Sequence, residues 1–161
     1  MHCAATHVGD SPTNTRTIVE ETSKKAKASQ DALAARIEKI DVDALKVRAE
    51  SLGKGASVSA ASPGFSGKQR RHVRGLGHPL KAQVQIGHHG LSNGLAGAIL
   101  IALDQREVVK VKLLESAPCS MALAALWIHE ATASSVVQIL GRTLLVYRRH
   151  PKQPVVRLPS A

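Results

Sequence analysis

The residues best placed to do chemistry lie between Lys81 and Gly94, in the run K-A-Q-V-Q-I-G-H-H-G-L-S-N-G. Two adjacent histidines, His88 and His89, stand between two glycines, Gly87 and Gly90. A neutral imidazole both donates and accepts hydrogen bonds, and a glycine, lacking Cβ, lets a ligand come close to the backbone. Ser92 or Asn93 is positioned to cap a helix whose free N–H groups and partial positive charge would face the same point. That combination suits a phosphate backbone, and G-x-x-G loops clamp nucleic-acid backbones in other proteins. Alone, most G-x-x-G strings are ordinary turns, so the rest of the chain has to decide.

Catalytic and metal readings are poorer. His129-Glu130-Ala131-Thr132-Ala133 lacks the second histidine that H-E-x-x-H needs to grip zinc. Gly67-Lys68-Gln69 has neither the upstream glycine nor the Ser/Thr of a phosphate-binding P-loop. Asp104, Glu107, Glu115 and Glu130 form no acid/base pair recognisable in sequence. His88-His89 has no third metal ligand nearby. The expectation is a protein that is not an enzyme and carries no cofactor.

Charge favours a polyanion instead. The formal net charge is +10, and it is unevenly placed. Residues 1–62 hold nine Lys/Arg against eight Asp/Glu, whereas residues 63–161 hold thirteen against four. Six of the eight histidines also fall in the second part. A domain this basic carries the electrostatic footprint of a nucleic-acid binder. Phe65, Trp127 and Tyr147 are its only aromatic residues, too few for a platform that stacks successive bases. Trp127 is expected in or against the core. Cys3 and Cys119 form no ligand or redox pattern. The first residues lack the basic and apolar regions of a secretory signal, and no apolar run reaches membrane-spanning length, so a cytoplasmic protein with no membrane partner is expected.

These groups need elements to position them. Residues 1–15 read as disordered. A helix is expected within 17–52, where Leu33, Ile37, Ile40, Ala44 and Val47 are spaced 4-3-4-3, with Asp41 and Asp43 able to start a second helix. Residues 53–64 read as a Gly/Ser/Ala linker, which puts a domain boundary near 63. A helix then runs from about 67 to 78, opened by a Ser66/Gln69 capping box and ended by His78-Pro79. Gln69, Val73, Leu76 and Leu80 would line one face; Lys68, Arg70, Arg71, Arg74 and His78 crowd the rest, with no acid within a turn to pair them. A strand precedes the glycine loop, with Ala82, Val84 and Ile86 on one side. A helix over 92–105 buries Leu95, Ala98, Ile99, Ala102 and Leu103. In a strand over 107–114, Val109, Val111 and Leu113 point inward and Lys110 and Lys112 outward. A third helix starts near Ser116 or Pro118 and ends near Thr132. Strands 135–140 and 143–149 close the chain around a Gly141-Arg142 turn, and an extended tail follows. The order α-β-α-β-α-β-β gives an α/β domain with a four-stranded mixed sheet.

Residues 65–159 resemble the CRM domain family in its bacterial single-domain YhbY-type form. The resemblance rests on K-Q-R-R-H-V-R-G-L-G-H-P-L-K (68–81), Q-I-G-H-H-G-L-S-N-G (85–94), V-V-K-V-K-L (108–113), V-Q-I-L-G-R-T-L-L-V-Y-R (137–148) and R-L-P (157–159). It implies a compact RNA-binding fold similar to the C-terminal domain of translation initiation factor three. It also implies association with precursors of the large ribosomal subunit, in plants with group II intron splicing, and no catalysis. Three departures stand out. The family commonly has Lys or Ser, then Asn, where His88 and His89 stand, so affinity for RNA is expected to rise below about pH 6.5. The second helix reads A-G-A-I-L-I-A-L where the family usually carries acids, which hints at a partner surface. Thr132-Ala133 replaces the family's Thr-Gly.

The residues expected to meet RNA are therefore Lys68, Arg70, Arg71, Arg74, His78, Lys81, Gly87, His88, His89, Gly90, Lys110, Lys112 and Arg142. The expected partner is ribosomal RNA or a pre-50S particle. The alternatives are a general RNA chaperone or nucleic-acid binder, and a protein-interaction or self-association module using residues 17–52 and the apolar second helix.

Overall fold

The structure is a computed structural model that describes residues 31–51 and 65–160. The disorder expected at 1–15, the start of the helix at 17 and the linker over 53–64 lie outside the described residues. Leu33–Ala161 forms one compact unit, so residues 33–51 belong with the domain expected from 63 onward.

Residues 31–38 (α1) and Val42–Ser51 (α2) are two helices rather than one. The break falls at 39–41, where the Asp41 carboxylate accepts from the backbone N–H of Asp43 and Ala44 at 3.0 Å each, an N-cap. That break resets the helical phase. Leu33, Ile37 and Ile40 pack inward as the 4-3 spacing predicts, but Leu45 and Ala49 then carry the seam. Ala44 and Val47 are exposed, Val47 at 68%.

Gly67–Gly77 (α3) opens with the predicted capping box: Gln69 N–H donates to Ser66 Oγ, and Ser66 N–H to Gln69 Oε1. Its buried stripe is Val73 and Gly77; Leu76, expected inside, is 41% exposed. Val84–Ile86 (β1) leads into Asn93–Gln105 (α4), capped by Ser92 Oγ accepting from Leu95 N–H. In α4 Leu95, Ala96, Ile99 and Leu103 are buried, while Ala98 faces solvent. Val108–Leu113 (β2) follows. Met121–Thr132 (α5) starts later than the Ser116/Pro118 signal predicts, because Ser120 is the cap, its Oγ accepting from Leu123 N–H. Pro118 instead packs against the glycine turn, where a Cβ on Gly90 would lie 3.1 Å from its Cγ. Ser135–Leu140 (β3) and Thr143–Tyr147 (β4) form the closing hairpin. Gly141 takes the left-handed φ (+56°) that a two-residue turn with glycine first requires.

The sheet order is β1-β2-β4-β3; β1 runs parallel to β2, and the other pairs are antiparallel. Both faces carry packed helices, one of them only in part. Val109, Val111, Leu144 and Val146 pack with Ile99, Leu103, Ala124, Ile128 and Trp127 under α4 and α5, with α2 laid on α5. Val108, Val137, Leu145 and Tyr147 pack with Val73 of α3, joined by Phe65, Val156 and Leu158. The tail after β4 forms neither helix nor strand, and it is pinned. The buried Glu107 carboxylate accepts from the backbone N–H of His150, Val155 and Val156, and Gln69 Nε2 donates to Pro159 O. Nothing in the local pattern hints at that role for Glu107, because its partners lie more than forty residues away.

Candidate nucleic-acid interface

Helix α3 covers only part of its face of the sheet. Beside it runs a groove of about 460 Å3 lined by Arg71, Arg74, Gly75, Gly77 and His78 of the α3 segment, Lys110 of β2, Gln138 and Leu140 of β3, and Thr143 and Leu145 of β4. Three of these side chains are permanently cationic and none is acidic. Val73 and Gly77 seat α3 on the sheet, so Arg71 and Arg74 are left exposed on the flanks.

Lys110 is less free than its strand position predicts. Its Nζ donates to the His78 carbonyl oxygen at 3.0 Å, and its backbone N–H donates to Gln83 Oε1. The bond ties β2 to the end of α3 and keeps the ammonium at the groove edge. Lys112, two residues along on the same side, is exposed. Its register partners are Gln85 of β1 and Thr143 of β4. Lys112 therefore stands between the groove, through Thr143, and the strand that enters the glycine turn, through Gln85.

The Gly87–Gly90 segment is a closed turn, with Gly90 N–H donating to Gly87 O at 2.9 Å. Gly90 has φ +64°, and a Cβ there would press on Pro118, so two constraints demand glycine. Gly87 is bound by neither. His88 and His89 occupy the exposed corner, with ring centroids 3.8 Å apart. Leu114 joins this turn to Arg142: its N–H donates to Ile86 O, and its own carbonyl accepts from Arg142 Nη2 at 2.6 Å. Arg142 Nε also donates to Leu113 O. The Arg142 guanidinium is thus fixed at the end of the sheet from which the turn projects.

The structure brings Arg71, Arg74, His78 and Lys110 into one groove, with Lys112, Arg142 and the turn following along the same sheet. Lys68 is exposed at the start of α3, and Arg70 is half-buried outside the groove lining. Lys81 lies elsewhere, on a second groove of about 720 Å3 between β1 and α4 that Ile101, 63% exposed, helps to line. Gln138, Leu140 and Thr143 also line the groove although no sequence pattern marks them. For Gln138 and Leu140 the reason is a bulge between Val136 and Gln138, which shifts the β3 register in a way that strand alternation cannot foresee.

The rejected motifs have structural roles. His129 Nδ1 lies 2.7 Å from Ser134 O, bridging the end of α5. The Glu130 carbonyl oxygen accepts from Arg36 Nε. Among the described residues no group of three or more His, Cys, Asp or Glu could hold a metal ion, and no helix is long and apolar enough to cross a membrane.

Residues 65–148 match the CRS1/YhbY (CRM) domain. Bacillus subtilis (strain 168) has a relative named probable RNA-binding protein YqeI, 29% identical over 95 residues, which are 59% of this chain and 99% of that protein. A Haemophilus influenzae protein named RNA-binding protein is 34% identical over 84 residues, 52% of this chain and 85% of its own. The solution structure of a Staphylococcus aureus protein, described as a candidate RNA-binding protein, superposes with a TM-score of 0.50 at 31% identity. That match covers 60% of this chain and all of the other. On a match spanning more than half of its length, the chain belongs to the CRS1/YhbY (CRM) domain family.

Proposed function

We propose that this protein binds RNA through the α3 groove and the Gly87–Gly90 loop, and that its target is ribosomal RNA during assembly of the large ribosomal subunit. The observation that carries the reading is the acid-free groove lined by Arg71, Arg74 and Lys110. Through Lys112 it continues toward the glycine turn. RNA binding is also what the family's named members are named for.

Arg71, Arg74, Lys110 and Lys112 neutralise phosphates along the groove, and Lys68 and Arg70 extend the cationic helix. Gly87, His88, His89 and Gly90 receive backbone phosphate and sugar at the start of α4, where the first turn holds no acid. Arg142 and His78 border these two parts, and Lys81 meets RNA that wraps past the β1 edge. Because Trp127 and Tyr147 are buried, affinity comes mainly from phosphate contacts and RNA shape.

Sedimentation of the tagged protein through a ribosome gradient, with and without RNase and at rising salt, tests the target. Cofractionation with large-subunit precursors that is lost with RNase or high salt is the expected result. Absence from every ribosomal fraction, with RNA still bound in vitro and no preference for structured ribosomal fragments over duplex DNA, would replace this reading with that of a general nucleic-acid binder. Partner capture that survives nuclease would favour a protein-interaction module.

A further inference from the structure

An unpaired base needs an exposed flat conjugated side chain to stack on. The aromatic rings of this domain are withdrawn from the surface. Trp127 is 2% and Tyr147 4% exposed. Phe65 is half-buried, its ring edge-on to Tyr147 at 5.5 Å. Among the conjugated ring side chains of the described residues, what is exposed is imidazole, and in one place two imidazoles are together. His88 and His89 sit at the corner of the Gly87–Gly90 turn, their ring centroids 3.8 Å apart and their planes inclined at 41°.

The corner is held in shape from behind. The Gly90 N–H to Gly87 O bond closes the turn, and Pro118 fills the space beside Gly90. The rings are therefore presented on a stiff backbone, which lowers the ordering cost of a ligand that stacks on them. The surrounding charge selects that ligand's chemistry: Arg142 is fixed to Leu113 and Leu114 beside the turn, and Lys112 stands across from Gln85.

We infer that the His88–His89 pair is a stacking site for a single unpaired RNA base, a bulged or loop nucleotide whose own phosphate meets the glycine backbone. The inference rests on the RNA-binding reading above and adds to it a preference for a helix interrupted by one extruded base. A platform for successive bases is absent from the described surface, but one base requires only one exposed ring face.

The test uses the full chain and two RNA hairpins, one with a single bulged 2-aminopurine and one fully paired. The wild-type protein should bind the bulged hairpin roughly five- to tenfold more tightly, within the range that one base–ring stack supplies, and binding should quench the 2-aminopurine fluorescence. H88F/H89F keeps flat rings without ring N–H groups or charge, and should keep both the affinity ratio and the quenching. H88Q/H89Q keeps hydrogen bonding without rings, and should bring the ratio close to one and abolish quenching. Both positions are exposed, so the variants should unfold at the wild-type midpoint. Equal wild-type affinity for the two hairpins, or an undiminished ratio in H88Q/H89Q, would overturn the inference and leave the RNA-binding reading standing. Failure of the wild type to bind either hairpin would remove both.

Discussion

Gly77 faces Leu145 so closely that a Cβ on the glycine would lie 2.5 Å from Leu145 Cδ1. Helix α3, which carries Arg71 and Arg74, approaches the sheet at a point where no side chain fits. Leu145 is itself buried and packs with Val73, Val108, Val137 and Tyr147, so a Cβ on Gly77 would displace both of its methyl groups from those contacts.

Gly77→Ala is therefore expected to destabilise the domain. Overpacking costs about 1–3 kcal/mol, against about 1 kcal/mol gained from better helix propensity. Gly75→Ala, two residues away with nothing within 4 Å of the added Cβ, should keep only the gain. Urea unfolding of the two variants separates these effects. If Gly77→Ala proves as stable as Gly75→Ala, the close approach does not constrain α3.

Lys110 and Lys112 differ in kind although they share a strand face. Lys110→Met loses the charged bond to the His78 carbonyl, worth about 1.5–3 kcal/mol, and should lower both stability and RNA affinity. Lys112→Met should leave the unfolding midpoint unchanged, weaken RNA binding and reduce the salt slope of log K by about 0.7–0.9. Paired unfolding and salt-titration measurements check this. A Lys110→Met protein of wild-type stability would show that the bond to His78 contributes nothing measurable.

Tyr147 provides a pH signature. Burial and, secondarily, the nearby Glu107 carboxylate push its phenol above the ordinary value of 10.0. The folded protein thus keeps the phenolic proton where the unfolded chain has lost it. Stability is full below the unfolded value and falls as pH rises through the folded one. The hydroxyl is buried and has no hydrogen-bond partner among the described residues, so Tyr147→Phe gives up no bond. Tyr147→Phe should match or exceed wild-type stability at pH 7 and show a shallower loss above about pH 10. An identical alkaline limb in both proteins would refute the assignment.

Ala133 caps α5 in the left-handed region at φ +49°, where a Cβ costs about 1–2 kcal/mol. The turn thus keeps a glycine-like shape without glycine. Ala133→Gly should raise stability by up to about 1 kcal/mol, the relief being partly offset by glycine's greater unfolded-state entropy. A lower denaturation midpoint for Ala133→Gly would contradict that account.

The element order, the capping box at Ser66 and Gln69, the hairpin turn at Gly141 and the burial of Val109, Val111 and Leu113 were all legible in the amino-acid sequence. Each of these is local: a period, a cap or a turn residue acts within a few positions of itself. Equally legible were the concentration of charge after residue 63 and the placement of His88 and His89 between two glycines. Which of those charges meet is a matter of tertiary packing. Arg71 and Arg74 share a groove with Lys110 because Val73 and Gly77 seat α3 on the sheet beside Leu145. Lys81, inside a strongly matching motif, falls on another groove because β1 lies at the sheet edge. The apolar seam after Asp41 moves to Leu45 and Ala49 because one cap resets the helix phase. Glu107 became a clamp for the tail, and Arg142 an anchored cation beside the glycine turn, through partners brought near only by strand pairing. Local pattern fixes which face of an element is apolar; which neighbour that face meets depends on the packing of the whole domain, and the site is assembled from those meetings.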